Sequence, residues 1–389
     1  MYDNSRPDHY FSEAHQAFRA SVRAFVAAEM TPNVEAWEAA GRLPRALYRK
    51  AGEMGILGVL FPEDVGGSDG DFFMQVVVTE ELARCGAGGV CASLGSHSIG
   101  IPPVVKHGSA VLREAFAVPV IAGEKIAALA ITEPGGGSDV AALRTTAVRD
   151  GESFVVNGEK TFITSGMQAD VITVAVRTDP ASRGASGISF LLVEGDTPGL
   201  SRTKLDKMGW HASDTAHLSF RDCRVPAAHL VGEEEQGFRA AMMNFNSERL
   251  IIAVQAYAMA QLCYEEALGW AQQRRAFGGT LAQQQVIRHK LIDMAAKIDA
   301  ARALTYDIIW RHEQGLDPLN IHVARTSMAK VLATDAMKFC ADEAVQILGG
   351  MGYMRGTVSE RIYREVKVLT IGGGTDEIMR NLAASQLGI

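Results

Sequence analysis

The sequence predicts an α+β chain in which a domain of β-strands separates two helical domains. Apolar residues recur at helical spacing over residues 11–125 and again from residue 237 to the end. Between them, short runs rich in β-branched and aromatic residues alternate with turn residues. Helices, then strands, then helices favour separate α and β domains over alternating βαβ units. We therefore expect an N-terminal helical domain (1–125), a middle β-barrel or sandwich (126–233) and a C-terminal helical domain (234–389).

The helical stretches have recognisable ends. Ser12 is the predicted N-cap of the first helix, and Pro32 is predicted to close it. In the C-terminal domain, Gly349 and Gly350 are predicted to stop one long helix, and a last short helix should follow Thr375. The predicted helices cover residues 11–30, 73–83, 238–273, 281–313 and 320–348.

The middle stretch contains short predicted strands and one strong hairpin signal. Asn157 and Gly158 lie between two of the strands, and this pair favours a type I′ turn because both central residues of such a turn need positive φ. Several strands at this spacing predict a small barrel or sandwich. The predicted strands are residues 126–131, 153–156, 161–163, 171–176, 187–193 and 216–220.

Composition excludes several classes of protein. The chain has 389 residues, of which 47% are hydrophobic and 21% charged, as in ordinary globular proteins. A net charge of −7 argues against a nucleic-acid binder, although it does not exclude an anionic substrate. The five cysteines form no CxxC pair, which favours reduced thiols over a metal site or disulfides. No signal peptide and no apolar run of about 20 residues is seen, so we expect a cytoplasmic protein without a membrane span.

A glycine-rich segment, TEPGGGSD at residues 132–139, directly follows an apolar predicted strand. Glycines let backbone N–H groups approach an anion or a planar ring, and neighbouring hydroxyls can donate hydrogen bonds. Glycine content alone is equally compatible with a plain surface turn. The spacing fits neither a Walker loop nor a dinucleotide GxGxxG motif.

The complete string is more specific, because residues 131–140, ITEPGGGSDV, resemble the flavin-binding signature of the acyl-CoA dehydrogenase family. The resemblance extends over nearly the whole chain, in order and at compatible spacing. VNGEKTFITSG resembles the family's second flavin segment, and KMGWHASDTAHLSF its exit from the β domain. The C-terminal motifs are QRRAFGGTLAQQQ, QILGGMG and IGGGTDEIM, at residues 273–285, 346–352 and 371–379.

This resemblance implies a helical–β–helical fold that ends in a four-helix bundle, non-covalent FAD and a homotetramer. It also implies α,β-dehydrogenation of an acyl-CoA thioester to the trans-2-enoyl-CoA, with electrons passed to an electron-transfer flavoprotein. Because fold does not fix function, a flavin-dependent oxidase or monooxygenase on the same fold stays open as an alternative. A catalytically silent flavin-binding protein is a further alternative from another class.

The resemblance also assigns cofactor contacts. Leu129 to Ser138 should line the isoalloxazine ring, and Phe162, where relatives commonly have Trp, should cover its other side near N5. Arg274, Phe277 and Gln285 resemble the family's contacts to pyrophosphate and adenine, contributed by a neighbouring subunit. The residues expected to bind FAD are Leu129, Ile131, Thr132, Gly137, Ser138, Phe162, Ile163, Thr164, Arg274, Phe277, Gln285, Gln346, Gly349, Gly350, Thr375 and Glu377.

The catalytic base is where the sequence departs from the common family pattern. Many members carry a Glu where this chain has Gly373. In the isovaleryl-CoA and long-chain branches the base instead precedes an Arg on an earlier helix, and Glu248–Arg249 matches that pattern. Apolar residues follow Glu248, so we expect it to be buried rather than to be an ordinary exposed helical glutamate. Asp376, Glu377 and Glu365 are rival carboxylates, expected to have structural or cofactor-binding roles.

Removal of an α-proton from a thioester also needs donors on the carbonyl oxygen. The resemblance assigns these to the Gly373 amide and an FAD ribityl hydroxyl, and it assigns substrate contacts to Ser138, Asn246, Arg249, Gly373 and Gly374. Arg183 or Ser186 are candidates for the CoA phosphates. The glycines at 372–374 and the small residues of GGVCASLG at 88–95 favour a branched or medium-to-long acyl chain, isovaleryl- or citronellyl-like.

Overall fold

The computed structural model describes residues 9–179, 181–182 and 184–389, without the side chains of residues 239–243. The chain divides into two compact units. The first unit consists of Met1–Glu35, Asp71–Gly88 and Asn246–Ile389, and the second of Ala36–Gly70 and Gly89–Phe245. The first unit thus joins N-terminal helices to the C-terminal ones.

The predicted helices are present in the structure, most of them to within a residue or two at the ends that were predicted. No described helix is long and apolar enough to cross a lipid bilayer. The α-helices are α1 (Glu13–Phe25), α2 (Val34–Ala40), α3 (Arg45–Glu53), α4 (Phe72–Ala83), α5 (Gly88–Gly100), α6 (Pro102–His107), α7 (Ala110–Leu112), α8 (Val118–Ile121), α9 (Gly237–Gln273), α10 (Gln285–Glu313), α11 (Leu319–Leu348), α12 (Val358–Leu369) and α13 (Asp376–Leu387).

The first helix begins as predicted but does not stop at Pro32. Ser12 caps α1, and its side chain accepts a hydrogen bond from the His15 amide. After α1 the chain continues through a π turn, Val26–Met30, and a 3₁₀ turn, Thr31–Asn33, that contains Pro32. A proline early in a helical turn removes no hydrogen bond, because the amides there have no partner inside the turn. Pro32 is therefore accommodated in the turn that leads into α2.

A buried polar network ties the helices of the first unit together. The Arg19 guanidinium of α1 donates to Glu80 and Glu81 of α4, at 2.7 and 3.0 Å. The hydroxyl groups of Tyr257 on α9 and Tyr306 on α10 donate to the same Glu80 carboxylate. Because each partner compensates the burial of the next, this network fixes α9 against α1, α4 and α10.

The second unit is built on one sheet with the strand order β6-β7-β3-β2-β4-β5-β8, in which β1 pairs parallel to β4. A separate two-stranded hairpin, β9–β10, belongs to the first unit. The strands are β1 (Ala127–Ala130), β2 (Thr146–Asp150), β3 (Ser153–Thr164), β4 (Val171–Arg177), β5 (Ile188–Glu194), β6 (Leu200–Lys204), β7 (Thr215–Pro226), β8 (Leu230–Val231), β9 (Arg275–Ala276) and β10 (Gly279–Thr280).

Every residue of the strand β4 is buried. Because alternate residues point to opposite sides of the sheet, the strand is covered on both faces. Val171 and Ala175 pack into an apolar cluster with helical residues such as Ile101 and Val104. Ile172, Val174 and Val176 pack into a second cluster formed largely by the other strands. This burial fixes β1, which pairs with β4, and so the start of the glycine-rich segment that follows β1.

The predicted hairpin at Asn157 and Gly158 is wrong. Both residues lie inside the continuous strand β3, and the turn between β2 and β3 instead contains Gly151, with φ +59°. Gly158 has φ +145°, and a Cβ built on it would lie 2.7 Å from the Thr145 Cα. The glycine is therefore needed for close approach at a bulge, where the pairing of β3 with β7 shifts register between Val156 and Gly158.

Candidate active site

The flavin loop, defined as residues 132–139, leaves β1 in the second unit. Its backbone forms a tight turn, in which the Gly136 amide donates to the Glu133 carbonyl at 3.0 Å. A Cβ built on Gly135 or Gly136 would meet no described atom within 4 Å, so these glycines border open space. A cleft of about 340 Å³ lies beside the loop, bounded among others by Glu133, Pro134 and Arg144.

Glu133 anchors the flavin loop from the inside. Its carboxylate accepts hydrogen bonds from the amides of Arg144 and Thr145, at 2.7 and 2.8 Å, and from the Thr145 hydroxyl at 2.6 Å. The Lys160 ammonium donates to the same carboxylate at 2.9 Å. Burial opposes ionisation of Glu133, but Lys160 and Thr145 outweigh it and hold the pKa of this carboxyl below its usual range.

Lys160, on β3, was not among the residues predicted from the sequence. Its side chain is fully buried, and its ammonium donates to the Ile131 carbonyl at 2.9 Å as well as to Glu133. The Thr161 amide donates to the Thr132 carbonyl at 2.9 Å. Burial lowers the pKa of Lys160 to about 8, against the opposing attraction of Glu133. The peptides before and after Thr132 are thus both held by β3, at the residues predicted to contact the isoalloxazine ring.

Phe162 presents its ring outward from a second bulge of β3. The pairing with β7 shifts register between Lys160 and Ile163, and Phe162 has φ +61° with 70% of its surface exposed. Its neighbour Ile163 is buried, and Thr164 is half-buried. Positive φ is strained for an aromatic residue and persists where the surrounding structure enforces it, commonly at a functional site. An exposed, fixed aromatic face fits one side of a planar cofactor.

Replacement of Phe162 by alanine is expected to weaken FAD binding about two- to tenfold, because stacking of an aromatic ring contributes roughly 0.5–1.5 kcal/mol. Phe162→Trp should bind FAD as well as the parent protein. Titration of the apoprotein with FAD, followed by flavin fluorescence, measures both. Val148→Ala, which removes another exposed apolar side chain from the same sheet, is the control. Equal affinities for Phe162→Ala and the parent protein would contradict the assignment.

In the first unit, Glu248 and Arg249 are both buried, each with 8% of its surface exposed. The Arg249 Nε donates to the Gly373 carbonyl at 3.1 Å, and its Nη1 donates to the Asn246 side chain at 3.1 Å. Burial lowers the pKa of Arg249, and the nearby Glu248 carboxylate opposes that shift. The structure therefore brings together Asn246, Arg249 and Gly373, with the Glu248 carboxylate near the Arg249 guanidinium.

The glycine loop, defined as residues 372–374, needs its glycines for conformational reasons. Gly373 has φ +68° and Gly374 φ +106°, both in the region that favours glycine. A Cβ built on Gly373 would lie 2.7 Å from the Cδ1 atom of Ile252, and one on Gly374 would lie 2.5 Å from the Cε atom of Met379. A glutamate at 373 would therefore be strained and would displace Ile252.

The rival carboxylates have other partners or positions. Asp376 accepts a hydrogen bond from the buried Lys330 ammonium at 3.1 Å, and the same ammonium donates to the Gly374 carbonyl at 3.0 Å. Glu365 accepts from the Gly88 amide at 2.7 Å, at the start of α5. Glu377 is exposed in the first turn of α13. Lys330 itself was missed; its only sequence signal is a lysine within the small and apolar residues of α11.

The residues predicted to hold the pyrophosphate and adenine lie at exposed positions of the first unit. The β9–β10 turn holds Phe277 and Gly278 at φ +52° and +81°, which leaves the Phe277 ring 93% exposed. Arg274 and Gln285 flank this hairpin and are exposed. Their contact with a neighbouring subunit stays a prediction. Gln346, Gly349 and Gly350 are exposed at the end of α11, and Thr375 is the N-cap of α13.

The remaining predicted contacts lie in the second unit. Leu129 is half-buried in β1, Ile131 is buried, and Gly137 and Ser138 are exposed in the flavin loop. Of the two candidates for the CoA phosphates, Arg183 lies outside the described residues. Ser186 is exposed, and its carbonyl accepts a hydrogen bond from Arg177 at 3.0 Å.

Comparison with known proteins tests the resemblance. Three family models match consecutive parts of the chain, namely the acyl-CoA dehydrogenase N-terminal domain over residues 12–124, middle domain over 128–223 and C-terminal domain over 235–388. The long-chain specific acyl-CoA dehydrogenase of Rattus norvegicus is 40% identical over 97% of this chain and 87% of its own. The short-chain specific enzyme of Mus musculus is 38% identical over 96% and 90%. The crystal structure of acyl-CoA dehydrogenase from Geobacillus kaustophilus matches with a TM-score of 0.93 and 39% identity, over 98% of this chain and 99% of that one.

The three-domain fold, matched by three family models in order along the chain, defines a flavin-dependent oxidoreductase. The chain belongs to the acyl-CoA dehydrogenase family, and FAD is its cofactor. The predicted family, fold class, enzyme class and cofactor are thus confirmed. The two relatives named for long and short chains match at nearly equal identity, so the comparisons leave the acyl chain length open.

Proposed function

We propose that the protein oxidises an acyl-CoA between Cα and Cβ to the trans-2-enoyl-CoA, with Glu248 as the base that removes the α-proton. The observation that carries the proposal is the bond between Arg249 and the Gly373 carbonyl. This bond connects α9, which carries the buried Glu248 carboxylate, to Gly373, the position at which many family members carry the catalytic glutamate. Glu248 on α9 therefore takes the role that a glutamate at position 373 has in those family members.

The glycine loop supplies a donor for the thioester oxygen. Among the described residues, no acceptor receives the amide hydrogens of Gly373, Gly374 or Thr375. An amide directed at the oxygen stabilises the negative charge that develops as the α-proton leaves. FAD held by these residues would supply the acceptor for the hydride from Cβ and a second donor for the same oxygen. Glu248 keeps the proton it has taken, in a setting from which bulk water is largely excluded.

Two groups of described residues support the binding of FAD. The flavin loop and Phe162 are proposed to hold the isoalloxazine ring, and Arg274 the pyrophosphate, because a guanidinium pairs with phosphate oxygens in fork geometry. We further propose that the enzyme acts as a homotetramer in the cytoplasm and passes electrons to an electron-transfer flavoprotein. The exposure of Phe277 and Arg274 supports the tetramer, since residues that bind the cofactor of a neighbouring subunit must lie at the surface.

The substrate preference rests on α5 rather than on the glycine loop. Ile252 and Met379 fill the space that side chains at 373 and 374 would take, so the glycines alone do not leave an empty volume. On α5, by contrast, a Cβ built on Gly95 meets no described atom within 4 Å. We therefore propose that α5 lines the acyl chain and that branched or medium-to-long chains are preferred.

Steady-state kinetics on a panel of acyl-CoAs test this preference. We expect kcat/KM for isovaleryl-, octanoyl- or palmitoyl-CoA to exceed that for butyryl-CoA by about tenfold or more, the scale of one or two methylene contacts. Gly95→Leu should lower kcat/KM for the best long or branched substrate and leave butyryl-CoA nearly unchanged. A clear preference of the parent protein for butyryl-CoA would overturn the proposal.

A further inference from the structure

Two buried cations hold two consecutive carbonyls of the glycine loop. Arg249 donates to the Gly373 carbonyl at 3.1 Å, and Lys330 donates to the Gly374 carbonyl at 3.0 Å. Arg249 lies on α9 and Lys330 on α11, so side chains from two helices form hydrogen bonds with the loop. Upstream, the Gly372 amide donates to the Val368 carbonyl at 2.7 Å.

These bonds orient the amides of Gly374 and Thr375 directly, and they restrain the peptide that carries the Gly373 amide from its downstream side. In a trans peptide the C=O and N–H groups point in opposite directions, so a fixed carbonyl fixes the amide of the next residue. The Gly373 amide therefore lies between a peptide fixed upstream at Gly372 and two peptides fixed downstream by Arg249 and Lys330. Three consecutive glycines have the largest conformational freedom that a backbone can have, and they offer no side chain to restrain it. Main-chain anchors must supply the order.

Lys330 makes a hydrogen bond to the glycine loop in addition to its ion pair with Asp376. Its side chain is fully buried, and Asp376 is the carboxylate that balances its charge, at 3.1 Å. Burial lowers the pKa of Lys330, and Asp376 opposes the shift. An ion pair alone would leave a lysine with unused donors, but here one is aimed at the Gly374 carbonyl. That bond connects α11 to the loop expected to receive the thioester oxygen.

We propose that Lys330 is a positioning residue of the dehydrogenation, which holds the glycine loop so that the Gly373 amide meets the thioester oxygen. The proposal rests on the function proposed above for Glu248 and Gly373. It assigns to Lys330 no contact with substrate or cofactor. Its loss should therefore weaken stabilisation of the enolate more than binding of the acyl-CoA.

The test uses the flavin-loaded enzyme and a 3-thia-acyl-CoA, an analogue that can lose its α-proton but has no β-hydride to give. Enolate formation is followed by the long-wavelength absorbance of the enolate beside oxidised flavin, as a function of pH. In Lys330→Met/Asp376→Asn, which leaves no unpaired buried charge, we expect the apparent pKa of the bound analogue to rise by about one unit, a tenfold effect. We also expect kcat for acyl-CoA to fall about 10- to 100-fold with a much smaller change in KM, since small misplacements of a reacting group have effects of this size.

Three controls separate the outcomes. Lys330→Arg keeps a cationic donor and should recover most of the rate, whereas Lys338→Met, on the exposed face of the same helix, should change nothing. Unchanged kcat and unchanged analogue pKa in the double variant would overturn the proposal. Failure of both Lys330→Met and the double variant to fold with FAD would assign Lys330 a structural role only, which also overturns it. Glu248→Gln tests the underlying function separately, because it should abolish the absorbance rather than shift its pH dependence.

Discussion

Replacement of Glu248 by glutamine is expected to slow reduction of the bound flavin by acyl-CoA about 10²- to 10⁴-fold, the usual contribution of a general base. Glutamine has the shape of glutamate but cannot take up the α-proton. Anaerobic mixing of the FAD-loaded enzyme with acyl-CoA, followed by loss of flavin absorbance, measures the step directly. The rate must be compared at saturating substrate, so that a change in binding does not enter.

The variant should fold and keep FAD, because its structural neighbours retain their partners. Arg249 still donates to the Gly373 carbonyl and to Asn246. Glu265→Gln is the matched control, since Glu265 lies on the same helix α9 with its side chain exposed. A full rate of flavin reduction in Glu248→Gln would show that the base lies elsewhere. Glu365→Gln should affect stability through the Gly88 amide rather than the chemical step.

The sequence predicts those parts of the fold that depend on local pattern. Long helices such as α9 and α11 have apolar residues at regular spacing, and their predicted ends differ from the observed ones by about one residue. Asn157 and Gly158 mislead for a physical reason. The preference of this pair for positive φ is local, whereas its place inside β3 is decided by pairing with β7 and by the close approach of Thr145. Tertiary contacts there override the turn signal.

The residues of the candidate site also fall into those that the sequence suggests and those that only the structure shows. Motif residues such as Thr132, Glu248 and Gly373 could be proposed from the sequence because the order of the motifs along the chain is specific. Lys160 and Lys330 were missed because lysines are rarely fully buried, so an isolated lysine in the sequence predicts a solvated side chain. Only the structure shows the carboxylates and carbonyls that compensate their burial. The space beside Gly373 is likewise invisible in the sequence, since Ile252 fills it from a distant segment.

Loss of Lys160 is expected to have the largest effect on stability. In Lys160→Met, Glu133, whose side chain is 10% exposed, would lose its counter-charge, and breaking a pair of this kind costs up to about 3–5 kcal/mol when both partners are fully buried. The Ile131 carbonyl would lose its donor as well, so the flavin loop should be less ordered and FAD should bind more weakly. Thermal unfolding of the apoprotein and FAD titration measure the two effects separately.

Two variants identify the cause. Lys160→Met/Glu133→Gln removes both charges and should recover part of the stability but not the FAD affinity, because Ile131 still lacks its donor. Lys204→Met, at the exposed end of β6, is the control for removal of a lysine from the same sheet. If Lys160→Met unfolds at the same temperature as the parent protein and binds FAD equally well, Lys160 contributes neither to stability nor to the order of the flavin loop.

The pH dependence of stability gives the same pair a distinct signature. The folded-state pKa of Glu133 lies below its ordinary value of 4.5, so its contribution is fully present above pH 4.5 and is lost as the pH falls through the folded-state pKa. Lys160 acts at the other end of the scale. Burial lowers its pKa from 10.5 to about 8, so the unfolded chain binds more protons between these values and stability rises with pH there.

Glu133→Gln should therefore unfold with less acid sensitivity below pH 4.5 than the parent protein, and Lys160→Met should lack the alkaline rise. Parallel pH profiles for all three proteins would contradict the charge assignment, because removal of either charge should change the profile in its own pH window.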